Sequence, residues 1–185
     1  MVRAAGLALL LAAASGCAYR GTAQAFDPAE LTSEPGWIFV EGVPAILQEA
    51  QEDCGAAALA AVLAYWKAPA DAERILLACP PKPEEGIEAG ALRDFARSCG
   101  LQAFLFAGEW DDLKRELAAG RPVLVGLGKP YITGILSHYE VVTAYHQEKR
   151  LLVTVDPANG WRKNSPEGFQ QEWTLAGRLT LVVSP

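Results

Sequence analysis

No block of basic residues occurs in this chain: 16 Lys and Arg are scattered among 22 Asp and Glu, for a net charge of −6. A surface that displaces the counterions of a nucleic acid needs the opposite balance, so non-specific nucleic-acid binding is excluded. Neither Cys-x-x-Cys nor His-Glu-x-x-His occurs, so neither a protein zinc site nor any other cofactor is expected. Gly126-Leu127-Gly128 is only a strand end, which leaves no phosphate-binding loop and no support for ATP. Beyond the first sixteen residues, no apolar run is long enough to cross a bilayer. There is no internal repeat, and Pro80-Pro81-Lys82-Pro83 is too short to link two domains. Histidine occurs only twice.

What is present is a 185-residue chain, 51% hydrophobic, with room for one core. Its first residues are a targeting segment. Arg3 supplies a positive start, and Ala4 to Ala14 are apolar but too short for a permanent membrane helix. They lead into Ala14-Ser15-Gly16-Cys17, which resembles the lipobox of bacterial lipoproteins, with Ala14 where Leu is more usual. That resemblance implies cleavage before Cys17 and its lipidation; an ordinary secretory signal is the competing reading. Several acyl chains, at ~0.8 kcal/mol per buried methylene, would anchor the protein durably. Ala18, rather than Asp, follows the cysteine, which by the sorting rule implies the outer membrane, facing the periplasm. The expected organisation is a signal peptide over 1–16, a lipidated tether over 17–36 and a folded domain over 37–185.

Within the domain, Leu59, Val62, Leu63 and Trp66 fall at helical spacing, predicting a helix from Cys54 to Lys67. Two more helices are predicted, from Asp71 as cap to Ala78 and from Glu88 to Cys99. The period then changes. Strands are predicted over Leu101–Phe106, Pro122–Leu127, His138–Ala144, Leu151–Val155 and Arg178–Val183. A helix is expected over Glu109–Ala119, and another after Ser165-Pro166. His138–Ala144 and Leu151–Val155 read as a hairpin around a polar turn, which would leave His146 facing solvent. Helices first and antiparallel strands later make an α+β fold of two lobes.

The residues that carry chemistry are few. Cys54 sits at a helix start, where unpaired N–H groups and the helix dipole favour an anion, and hence the nucleophilic thiolate. A buried structural cysteine is the plain alternative. His138 opens a strand in Ser137-His138-Tyr139-Glu140-Val141-Val142, and the hairpin would bring Asp156 beside it to orient the imidazole. Gln48 lies six residues before Cys54; Gln51 is too close to reach around the nucleophile. Trp161, Phe169 and Trp173 read as core or cleft wall.

Gln48-Glu-Ala-Gln-Glu-Asp53-Cys54-Gly55-Ala56-Ala57, the segment around His138, and Asp156-Pro157-Ala158-Asn159-Gly160 together are similar to peptidase family C39. The similarity covers roughly Gln48 to Trp173. It implies a papain-like fold, with the nucleophile on a helix N-terminus in the N-terminal lobe and an antiparallel sheet in the C-terminal lobe. It also implies a cysteine peptidase with a Cys54–His138–Asp156 triad and Gln48 in the oxyanion hole, acting on a peptide or protein substrate. The exporter peptidases of that family work in the cytoplasm fused to transmembrane and ATPase domains, which this chain lacks. A transamidase or acyltransferase on the same triad, and a non-catalytic envelope binding or assembly lipoprotein, are the alternatives. In an oxidising compartment Cys79 and Cys99 could pair as a disulfide, leaving Cys54 free.

Overall fold

The computed structural model describes residues 21–185 apart from 70, 84 and 133. The signal segment and Cys17, with the lipidation expected there, lie outside the described residues. No helix among the described residues is long and apolar enough to cross a membrane.

The expected tether is folded from residue 21 onward. It forms β1 (Gln24–Ala25), α1 (Glu30–Ser33) and β2 (Trp37–Phe39). Phe26 and Leu31 bury against Ala144 and Val153 in a small second core, joined by Trp37, Phe39 and Trp161. Four apolar residues spaced irregularly through a polar stretch make no period, yet each fills one position on the sheet.

A 3-10 turn (Gln51–Asp53) runs into α2 (Cys54–Tyr65), followed by α3 (Ala72–Ala78) and α4 (Ala89–Ser98). Every residue of α2 from Cys54 to Leu63 is buried, so the apolar stripe is not one-sided. Its alanines let neighbouring elements approach from all directions. Trp66 falls just past the helix, where its indole N–H donates to the Val183 carbonyl at 2.9 Å. Asp71 caps α3 as expected, accepting from the Arg74 N–H at 2.9 Å.

Cys79 and Cys99 are free thiols, which corrects the expected disulfide. Cys79 donates to the Ala91 carbonyl at 3.6 Å, near the start of α4. Cys99 caps the other end of that helix. The eight-residue rise from Ala91 to Cys99 is about 12 Å, beyond the reach of a disulfide.

After β3 (Gln102–Ala107) and α5 (Trp110–Ala118) come β4 (Val123–Tyr131), β5 (Gly134–His146), β6 (Leu152–Asp156), β7 (Gly160–Asn164), α6 (Pro166–Leu175) and β8 (Leu179–Ser184). The strands form one antiparallel sheet ordered β1-β7-β6-β5-β4-β8-β3, with β2 also paired to β5. β5 pairs β4 along its first nine residues and β2 along Ala144–His146, with a register shift at Thr143 between them. β5 begins four residues before His138, so this histidine sits within the strand, paired with Leu127 of β4, rather than at a strand start. Ser165 and Pro166 open α6 as the sequence suggests, and Phe169 and Trp173 are fully buried.

His146 is not a solvent-facing turn residue. It ends β5 at 2% exposure, lies edge-on to Trp37 with ring centroids 4.9 Å apart, and accepts from the Lys149 N–H at 3.2 Å. A Cβ on Gly36 would lie 2.7 Å from the His146 ring, so the imidazole is a packing element of the N-terminal segment.

Candidate active site

Local turns fix the approach to α2. The Asp53 carboxylate accepts from the Ala50 N–H at 3.0 Å, which closes the turn and delivers Cys54 as the first helical residue, only 4% exposed. Gln48 is tied from the other side, its N–H donating to the Pro157 carbonyl at 2.9 Å. The β6–β7 turn and the segment leading to the nucleophile are thereby joined. A Cβ on Gly55 would lie 3.2 Å from the Tyr139 ring and 3.3 Å from Leu92, so the helix start packs this closely on β5 only with glycine there. The Tyr139 hydroxyl donates to the Ile87 carbonyl at 2.9 Å; burial, with the Cys54 and Glu88 charges, holds the phenol well above its usual range.

His138 stands between Cys54 and Asp156. Its Nε2 lies 2.6 Å from Asp156 Oδ1, which leaves Nδ1 as the nitrogen toward the Cys54 thiol. Burial disfavours the imidazolium most strongly, but hydrogen bonds to Asp156 and Cys54, and the Asp156 and Glu140 charges, outweigh it and raise the pKa to about 10. Burial pushes the Asp156 carboxyl up, while His138, the Asn159 amide and the Ala158 N–H pull it below the usual carboxylate range. The last two bonds measure 2.7 and 2.8 Å. The Asp156-Pro157-Ala158-Asn159 turn thus presents two donors to the carboxylate and His138 a third, which fixes both its charge and its direction.

Gln48 donates from Nε2 to the carbonyls of Ala50 at 2.9 Å and Gln51 at 3.2 Å. It lines a cleft of about 530 Å³ with His138, Asp156, Asn159, Arg162 and Ala23. A second groove, about 750 Å³, reaches His138 from the other side between Ile87, Leu105, Leu127 and Leu179. The structure therefore brings Gln48, Cys54, His138 and Asp156 to one place, and leaves Cys79, Cys99 and His146 elsewhere.

Sequence reasoning missed Asn159 as the residue that orients Asp156, and a buried trio of charges beside His138. Glu140, Lys129 and Glu172 are 0%, 4% and 1% exposed. The only hint was a glutamate two positions after His138, on the same face of its strand. His138, Glu140 and Asp156 bring potential ligand atoms within 4.8 Å of one another. Lys129 Nζ lies 2.6 Å from Glu140 Oε1, so a metal ion would have to displace an ammonium already in place. The cluster is built for charge pairing.

The family model for the peptidase C39 family matches residues 42–185. This chain belongs to the peptidase C39 family. It is a cysteine peptidase with the papain-like α+β fold of that family. No curated protein matches it. Among solved structures it is similar to a double glycine motif protease from an AMS/PCAT transporter, in complex with the leader peptide. The identity is 29%, covering 78% of this chain and 92% of that one, with a TM-score of 0.62. The peptidase domain of Streptococcus ComA, a bifunctional ABC transporter, matches at 24% identity over 78% and 99% of the two chains, TM-score 0.64. A C39-like peptidase from Bacillus anthracis shares the fold at 19% identity over 80% and 98%, TM-score 0.65. The match begins at residue 42, so β1, α1 and β2, which this C39 peptidase packs onto the sheet, precede the matched residues.

Proposed function

We propose that this C39 peptidase hydrolyses peptide bonds through a Cys54–His138–Asp156 triad, with Gln48 and the Cys54 N–H as oxyanion donors. The observation that carries the reading is His138 held between the thiol and a carboxylate 2.6 Å away. The Cys54 thiolate attacks the scissile carbonyl carbon; a C–S bond forms and the π electrons move to oxygen. As the C–N bond breaks, the His138 imidazolium gives its Nδ1 proton to the leaving amine. A water then loses a proton to neutral His138, attacks the thioester and releases the acid, restoring the thiolate and imidazolium. Gln48 Nε2 has two hydrogens and donates now to two carbonyls; turning one from the more distant Gln51 carbonyl would supply the oxyanion.

A peptide substrate lying across the two clefts flanking His138 is supported by the 29% identical neighbour, whose structure includes a leader peptide. We place the reaction in the bacterial envelope, with Cys17 as a lipid anchor and the outer membrane as its site, on the lipobox-like segment of the sequence. Ala23 lines the catalytic cleft, and the six residues from Cys17 span at most about 21 Å when extended. Such an anchor would hold the cleft near the membrane surface and favour membrane-proximal substrates. The test is hydrolysis of an envelope-protein peptide library by the purified protein. Cys54→Ala and His138→Ala should each abolish cleavage, and turnover surviving either substitution would refute the triad.

A further inference from the structure

The triad leaves one group in its immediate surroundings without a task. Glu140 follows His138 by two residues on β5, so both side chains leave the same face. The β5–β6 register pairs Val141 with Val155, and one step further it sets Glu140 across from Asp156. Two carboxylates thus stand side by side in a buried sheet, next to one imidazole, with His138, Glu140 and Asp156 ligand atoms within 4.8 Å of one another. Like charges opposite each other across strands are unfavourable, and a fully buried carboxylate is costly unless it is paired.

Glu140 is paired, but by charge rather than by directed hydrogen bonds. Neither of its carboxylate oxygens accepts a hydrogen bond among the described residues. Lys129 Nζ lies 2.6 Å from Oε1 and donates to Glu172 Oε2 at 2.7 Å. Lys129 comes from β4, Glu172 from α6 and Asp156 from β6, so three elements converge on this one residue of β5. With His138 protonated, the group holds three carboxylates and two cations, an excess of one negative charge. The other ionisable groups nearby include Cys54 on α2, Tyr139 on β5, Glu88 beside Tyr139, and Tyr131 and Arg162 on the cleft wall. Apolar residues of the same shape would fill this space at no cost to stability, and often with a gain. What they would not supply is a negative field at the imidazole.

We propose that Glu140 is a positioning residue of this peptidase: a second carboxylate that, beside Asp156, holds His138 as the imidazolium partner of the Cys54 thiolate, with Lys129 and Glu172 keeping it buried and charged. The inference rests on His138 being the catalytic base. Glu140 touches no substrate in this scheme; it acts through His138, and its effect is on the pH range over which the ion pair survives.

The chain has only two histidines, so their imidazoles can be followed individually by nitrogen NMR without any substrate, with His146 as internal reference. Glu140→Gln keeps shape and volume and removes the charge. It should move the His138 titration down by about one pH unit, the size expected of a partly compensated charge about 5 Å away. The alkaline limb of peptide hydrolysis should move with it. A His138 titration that coincides with the parent's overturns the proposal, whatever happens to stability. Should Glu140→Gln fail to fold, the neutral pair Lys129→Gln/Glu140→Gln supplies the same readout. A smaller downward shift there supports the proposal, and no shift overturns it. Failure of the triad itself would show separately, as hydrolysis that persists in His138→Ala.

Discussion

Asp156→Asn isolates the charge of the triad carboxylate from its geometry. Asp156 Oδ1 accepts from both His138 Nε2 and the Ala158 N–H, at 2.6 and 2.8 Å, and Oδ2 accepts from the Asn159 amide at 2.7 Å. The Ala158 N–H can only donate, so it keeps the carbonyl oxygen of the new side chain at the Oδ1 position, facing His138. The new amide nitrogen then faces Asn159, whose own amide can turn to present oxygen. His138 keeps its tautomer and loses only its counter-charge. Two charges about 4 Å apart at an effective dielectric near 20 attract by about 4 kcal/mol, or about three pH units. His138 should then titrate near 7 instead of about 10. Much of the imidazolium would be lost at neutral pH, and kcat/KM should fall by about 10²- to 10⁴-fold, the upper end applying if the tautomer is lost as well. The assay is kcat/KM against pH for a cleaved peptide, with Asp156→Asn beside the parent. An alkaline limb left where it was, with kcat/KM within about tenfold of the parent, would refute the assignment of Asp156.

Two further outcomes follow from the same geometry. His138 is raised to about 10 and Asp156 is lowered, so the stability owed to His138 is complete below its ordinary pKa of 6.5 and is lost as pH rises toward 10. That owed to Asp156 is present above its ordinary 3.8 and is lost as pH falls below it. Urea midpoints should therefore be highest between about pH 4 and 6.5 and decline toward pH 10; His138→Gln should flatten that decline, and an equal decline in both proteins would contradict the shift. In Gly168→Ala the added Cβ would lie 1.6 Å from Thr22 Oγ1, which must push the N-terminal segment off α6 at a cost of about 1–3 kcal/mol. Amide exchange over Gln24–Phe26 should rise, and unchanged protection there would show that the segment is not docked as described.

The sequence made the site legible because its chemistry-bearing residues are scarce. With two histidines, one cysteine at a helix start and an aspartate ending the partner strand of a hairpin, only one constellation could form. The register Val142 to Thr154 bears out that hairpin. What stayed hidden depended on contacts between distant segments. Glu140 reads as one polar residue in an apolar strand until Lys129 and Glu172 arrive from β4 and α6. Strand β7 is Gly-Trp-Arg-Lys-Asn, too polar to look like sheet interior, and is held by β6 on one side and β1 on the other. Its partner β1 lies in a stretch whose composition resembles a tether. His146 was misjudged for the same reason: its neighbours in sequence are polar, but its neighbours in space are Trp37 and Gly36.

Thiol reactivity tests the central claim most directly, because accessibility and chemistry point in opposite directions. Cys54 is almost fully buried, while Cys99 is more exposed, and burial with the Asp94 charge raises the Cys79 thiol. Limiting iodoacetamide at pH 6, read by peptide mass mapping, should label Cys54 first, and His138→Ala should remove that preference. Labelling that follows exposure, with Cys99 ahead of Cys54 in the parent protein, would contradict Cys54 as the activated nucleophile.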